Sequence, residues 1–374
     1  MRATAANRIG IDYRQQAASL AAGRVPLSSG VESGYSGPVI DAHAHIHGAQ
    51  ASLIYDRARR LFNVRRTYSM TQLSLAAEVR DALGDSVRFI CMPAFTTGDR
   101  NDNHRAGYLR AIEQFHRQFG ARMMKIWASP RLREILPGGA TDLADVDSPW
   151  RREHARLATS LGMMIMVHVA DPDTWFATRY SDGSAYGTKA HQYVGLRRML
   201  DDFPVPWIAA HMGGWPENLP FLDALLDAHP NLHIDTSATK WVVRELSRHP
   251  RDEVLAFFWK WKGRILFGSD LVTTEDQLSP AKTGLSSMGD LASSPDEAFE
   301  LYASRYWALR TMFDTDYRGE SPIADPDLRM VDPSRHDAMS APALQGFALP
   351  PALLKSLYHD AAVDLLERWW AEHP

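Results

Sequence analysis

Short apolar runs rich in β-branched residues recur along this chain, separated by amphipathic stretches of helical period, and this alternation restricts the fold more than any other feature. Eight such runs can be read: Val39 to His45, Val64 to Met70, Val87 to Met92, Arg122 to Trp127, Met163 to Val169, Pro206 to His211, Asn231 to Thr236 and Arg264 to Ser269. Parallel strands need long crossover connections that lay a helix on the sheet, so the pattern reads as repeated βα units. Eight units in 374 residues predict an α/β protein of the (β/α)8 TIM-barrel class. The second run, VRRTYSM, alternates poorly and reads equally as the end of a helix, in which case the count falls to seven.

Between the runs lie helical candidates at 103–119, 147–161 and 219–229, and two of them open on Asn103 and Asp147, placed like N-caps. Residues 1–37 end in LSSGVESGYSGP and read as an N-terminal arm; the barrel is expected over 38–374. The interval from Leu271 to Ser304 reads as a long loop with a short helix. The stretch at about 319–346 is too rich in Pro and Asp to be core. A closing helix from about Pro351 to Trp370 presents an apolar face of Leu354, Leu357, Tyr358, Ala361 and Leu365.

Composition matters mainly for what it excludes. With 41 basic against 45 acidic residues, the formal charge of −4 sets up no field that would recruit nucleic acid or an anionic membrane. A small molecule is the expected partner, with homo-oligomerisation left open. The single cysteine, Cys91, rules out an internal disulfide and reads as a buried thiol. No run of about 18 uncharged apolar residues occurs, and the first residues lack an export-type apolar core, so a soluble, cytoplasmic protein is expected.

The chemistry concentrates in IDAHAHIH, residues 40–47. Asp41, His43 and His45 alternate and therefore share one strand face, where imidazoles about 6–7 Å apart along the backbone can converge on one ion. Histidine is a poor strand filler, so a ligand role explains the pair better than packing. His47 has the same parity but precedes Gly48 and is left to the loop. His168 in VHVAD, His211 in AAHMGGWP and Asp270 in ILFGSD follow three further runs. In a barrel, groups at the C-terminal strand ends meet at one mouth. Either histidine alone would read as an ordinary core or cap residue.

IDAHAH, MMKIW, VHVAD, AHMGG, NLHIDTSA and RILFGSD, in this order, resemble the amidohydrolase superfamily, especially the branch related to aminocarboxymuconate-semialdehyde decarboxylase. The resemblance covers roughly 39–270, and LPPALLKSLYHDAAVDLL is similar to that branch's closing helix, with Asp360 where Asn is expected. It implies that His43, His45, His168 and Asp270 bind a divalent metal, zinc or manganese, and that His211 is the acid or base beside it. Lys125 reads in three ways, as a carboxylated bridge between two ions, as a substrate-binding cation, or as a strand-end residue salt-bridged to a neighbour. Asp235 is either a site residue or a helix cap.

Such an ion lowers the pKa of water to about 7 and makes a nucleophile available at neutral pH. Asp270 and His211 are then the catalytic groups, Asp270 taking the proton and His211 stabilising charge or protonating the leaving group. Candidate substrate-facing residues are Lys125, Trp127, Arg131, Trp215 and Asp235, with Trp175, Arg179, Tyr180, Lys240 and Trp241 in neighbouring loops. Arg57, Arg59 and Arg60 read as a solvated helix face. The expected function is hydrolysis of a C–O or C–N bond in a small molecule, the alternative non-oxidative decarboxylation of an aromatic or muconate-like acid. A non-catalytic barrel is the third reading, and it leaves His211 unexplained.

Overall fold

A computed structural model describes residues 12, 35–95, 98–136, 142–283 and 287–374. The expected N-terminal arm therefore lies almost wholly outside the described residues. All eight expected strands are present: β1 Val39–His45, β2 Val64–Ser69, β3 Val87–Phe89, β4 Met123–Trp127, β5 Met164–His168, β6 Trp207–Ala209, β7 Leu232–Asp235 and β8 Ile265–Leu266. They belong to two compact units, one of residues 1–69, 77–87 and 236–365, the other of residues 70–76, 88–235 and 366–374.

In the first unit β1 pairs in parallel with β2, Val39 opposite Val64. On its other side the Ala42 N–H donates to the carbonyl of Phe267, just past β8, at 2.8 Å. The first strand thus lies between the second and the eighth. Six of its seven residues are buried, as expected of a parallel strand covered on both faces. In the second unit β4, β5, β6 and β7 pair in parallel in sequence order. Cys91, just past β3, bridges to Met124. This consecutive order, with helices between the strands, is that of the (β/α)8 class. The Cys91 thiol is fully buried, and burial pushes its pKa well up.

The connecting helices follow their apolar period and their caps. Ala106–Phe119 buries Tyr108, Ile112 and Phe115 on one face and stops at Gly120, whose φ of 60° ends the helix ahead of β4. Neither expected N-cap is used. Asn103 closes the short helix Arg100–Asn103, which Asp99 caps. Asp147 lies one residue before Ser148, the N-cap position of the helix Pro149–Ser160, where proline at the first turn sets the start, and its carboxylate accepts from Arg198 at 3.1 Å. Asn218 does cap, accepting from the Phe221 N–H at the head of Leu219–Ala228.

Three further readings need correction. The span from Leu271 to Ser304 does not end in a short helix: a 20-residue helix, Pro295–Asp314, begins within it and is buried at almost every position from Ala298 on. The stretch 319–346 contributes to the core after all, since Ile323 and Asp325 are 0% exposed and Leu344 1%. Asp325 is admitted because its carboxylate pairs with the buried Arg244 guanidinium. Arg59 is no solvated residue: it is buried, pairs with Asp56 and donates to the Val64 carbonyl at 2.7 Å, while Arg57 and Arg60 are exposed.

The closing helix begins as Pro351–Lys355, passes through π-helical turns at Ser356–Asp360 and Val363–Glu367, and ends as Arg368–Glu372. Each wide turn shifts the apolar face, so Leu366 is buried in place of the expected Leu365. Asp360 forms an ion pair with Lys355 at 2.6 Å.

Candidate metal centre

In the first unit, strand alternation puts Asp41, His43 and His45 on one face of β1. Asp270 is brought to them by the turn after β8. Its backbone N–H donates to the His43 carbonyl at 2.8 Å, and its φ of 54° places a non-glycine residue in the left-handed region. Conformations of this kind cost on the order of 1–3 kcal/mol and persist only where surrounding contacts impose them. The result is convergence: Asp270 Oδ1 lies 3.3 Å from His43 Nε2 and 3.2 Å from His45 Nε2.

Those spacings test the donor set. Two ligands about 2 Å from a tetrahedral ion stand roughly 3.3 Å apart, longer than the ~2.9 Å usual for an N–H···O bond. Two imidazoles and a carboxylate with potential ligand atoms mutually within 4.8 Å therefore fit a divalent cation. The His43 side chain is fully buried, while His45 is 24% and Asp270 29% exposed, so the triad opens on one side. His47 contributes backbone instead, its N–H donating to Thr273 Oγ1 and its carbonyl accepting back. Burial, followed by repulsion from His45, lowers its pKa to about 3.

Asp41 does not join the three; it holds the backbone of His43 and of Ser269, the residue before Asp270. Its carboxylate accepts from Ser269 Oγ at 2.6 Å, Tyr306 Oη at 2.8 Å, and the backbone N–H groups of His43 and Ser269 at 3.1 Å each. Burial raises its pKa to about 6, these donors only partly opposing it. Tyr55 continues the network, its hydroxyl 2.8 Å from that of Tyr306 and 2.7 Å from that of Thr67.

In the second unit His168 ends β5, opposite Trp127 of β4, their rings 6.2 Å apart and nearly perpendicular. Lys125 has the parity of Trp127 and is 5% exposed. His211 follows β6 in an unusual turn: His211, Met212, Gly213 and Gly214 all have positive φ. Gly214 is required there, because a Cβ would lie 2.8 Å from the Ala170 carbonyl oxygen. Asp235, fully buried at the end of β7, accepts from the His211 backbone N–H at 2.9 Å. The helix that follows, Thr239–Leu246, starts at Ala238 with no side-chain cap, so Asp235 is not its cap.

His168 Nδ1 and His211 Nε2 are 3.1 Å apart. The other ring nitrogen of His168 meets Asp171 Oδ1 at 2.8 Å, and Asp171 Oδ2 accepts from Ser129 Oγ at 2.6 Å and Tyr180 Oη at 2.8 Å. Burial alone would raise the Asp171 pKa, but His168 and the hydroxyl donors bring it below the ordinary carboxylate value. Of the remaining substrate-side candidates, Arg131 is exposed. Trp215 packs against two neighbouring helices, stacked on Tyr193 and tilted against Phe221, with Lys189 over its ring. Arg179 pairs with Glu134, and Trp241 donates to Asp327.

Sequence reasoning missed Asp171, Ser129, Ser269, Tyr306 and Phe95. Asp171, Ser269 and Tyr306 hydrogen-bond named candidates, and Ser129 acts on His168 through Asp171. Phe95 packs edge-on against Trp127, ring centroids 5.3 Å apart. The Asp in VHVAD and the Ser in FGSD stood inside quoted motifs and were the available signals.

A family model described as Amidohydrolase matches residues 40–368. No curated protein matches the chain. Among solved structures it is similar to an uncharacterised TIM-barrel protein, Bb4693, from Bordetella bronchiseptica, at 13% identity over 89% of this chain and 99% of that one, TM-score 0.44. It is also similar to 2,6-dihydroxybenzoate decarboxylase from Rhizobium, at 13% identity over 73% and 99% of the two chains, TM-score 0.39. A third is 5-carboxyvanillate decarboxylase from Novosphingobium aromaticivorans, complexed with manganese and 4-hydroxy-3-methoxy-5-nitrobenzoic acid, at 12% identity over 72% and 96%, TM-score 0.38.

Proposed function

We propose, from the premise that this chain belongs to the amidohydrolase family, that it hydrolyses a C–O or C–N bond of a small organic molecule, an ester, lactone or amide, at a single divalent ion. The observation that carries this reading is the triad of His43, His45 and Asp270, whose donor atoms stand 3.2 and 3.3 Å apart around one point. His43, His45 and Asp270 hold the ion, and the family resemblance adds His168 as fourth ligand. Zinc suits a set of three imidazoles and one carboxylate, with manganese the alternative. Bound there, the ion supplies Lewis acidity that acidifies water and polarises an acyl oxygen.

The chain's own residues do the rest. Asp270, partly exposed, accepts the proton of the attacking water at its carboxylate. His211 is held by Asp235 through its backbone and points Nε2 toward His168, where it can stabilise developing charge or protonate the leaving group. Lys125, Trp127 and Arg131 are proposed to contact the substrate.

One observation favours decarboxylation of an aromatic acid as a second reading. Trp127 lies edge-on to both His168 and Phe95, forming a corner of aromatic surface beside a proposed ligand that would seat a planar ring. A panel of esters, lactones, amides and aromatic carboxylic acids, assayed with zinc- or manganese-loaded protein, separates the two. Turnover of an acyl substrate, abolished together with bound metal in His43→Ala/His45→Ala, is the expected result. Release of CO2 from an aromatic acid, with no acyl hydrolysis, would replace the first reading by the second. Undiminished metal in the double variant would remove both.

A further inference from the structure

The geometry points to Asp171 as a positioning residue that fixes the tautomer of His168, so that Nδ1 is the ring nitrogen presented to a divalent ion. This rests on the reading of His168 as a metal ligand and adds what decides which of its two nitrogens can serve.

An imidazole ligates through the nitrogen that carries no proton, and in a neutral ring the hydrogen bond made by one nitrogen sets the state of the other. Asp171 is 3% exposed, and both its carboxylate oxygens are engaged. Oδ2 receives two hydroxyls, Ser129 Oγ at 2.6 Å and Tyr180 Oη at 2.8 Å, and a carboxyl group, ionised at neutral pH, accepts at both its oxygens. Its partner Oδ1, 2.8 Å from His168 Nε2, must then accept as well, so Nε2 carries the proton and Nδ1 does not. His211 Nε2, 3.1 Å from Nδ1, lies on that same acceptor side. The three anchors come from different places. Ser129 follows β4, Asp171 stands three residues past His168, and Tyr180 lies beyond the short helix Asp173–Ala177. The loop after β5 is thereby tied to the orientation of one histidine ring.

The test uses the full-length protein and zinc. Affinity is measured by chelator competition for wild type, Asp171→Ala, Asp171→Asn and His168→Ala, with circular dichroism to confirm folding. Loss of the carboxylate partner of a metal-bound histidine weakens binding about 10–100-fold, and that loss is expected for Asp171→Ala. Asp171→Asn keeps a carbonyl acceptor opposite Nε2 and is expected to recover most of the affinity, which a purely structural carboxylate would not predict. If both variants are equally weak, or Asp171→Ala binds zinc like wild type while His168→Ala does not, the inference fails and the metal-ligand reading survives. If His168→Ala itself binds zinc normally, that reading fails too. Should Asp171→Ala not fold, long-range imidazole ¹⁵N spectra of the wild type decide: protonated Nε2 is expected for His168, and protonated Nδ1 overturns the assignment.

Discussion

His211 occupies a backbone conformation that few residues adopt, and asparagine is one of them. His211→Asn therefore keeps the turn while removing the imidazole. Metal content and folding are expected to stay near wild type and kcat to fall roughly 10² to 10⁴-fold, the usual contribution of a positioned acid or base. Metal analysis and turnover on one preparation check this, and unchanged turnover would reduce His211 to a strand-end residue. At this scale the sequence was readable wherever a residue's placement follows from its own position. His43 and His45 declare themselves by alternation on a strand that has no use for imidazoles in packing. Asp171, Ser269 and Tyr306 do not, because each works through a partner supplied by a different segment, Tyr306 reaching Asp41 from 265 positions away.

Among the elements, strands announced themselves better than helices. Even VRRTYSM forms β2, with Val64, Thr67, Tyr68 and Ser69 buried; alternation fails there because both faces of its second half are covered. The helix Pro295–Asp314 was illegible for a related reason, since burial nearly all round leaves no polar face to mark a period. Asn103 and Asp147 looked like caps and are not, while Asn218, which caps Leu219–Ala228, carried no such reading. The turn after β6 is the element most sensitive to change. Gly214→Ala sets a Cβ 2.8 Å from the Ala170 carbonyl at a φ of 77°, and a stability loss of about 1–3 kcal/mol is expected. Urea denaturation measures it. Gly183→Ala, where a Cβ meets nothing within 4 Å, is the control and should be near neutral.

For the whole molecule, stability is linked to metal and to protons. One zinc per chain is expected, and free zinc at 100 times its Kd should stabilise the protein by about 2.7 kcal/mol. Titration that saturates at two ions, with loss of one in Lys125→Ala, would restore the bridging role of that lysine. Away from the metal ligands, His104 and His154 are fully buried, and burial first, then neighbouring arginines, lowers both pKa values to about 3. Above their unfolded value of about 6.5 neither state binds the proton. Below it the unfolded chain does and the native one does not, so stability falls as pH drops toward 3, on the order of 1–2 kcal/mol per histidine between pH 7 and 5. His104→Leu should flatten that dependence relative to wild type, and parallel curves would show that His104 does not contribute. Among the described residues no helix is long and apolar enough to cross a membrane. The one cysteine in the sequence is Cys91, wholly enclosed beside β4 with its thiol far from ionising. A disulfide reagent then meets no reactive sulfur until that sheet opens, so the rate of labelling at a single atom becomes a clock for breathing of the interior, with no probe to be engineered in.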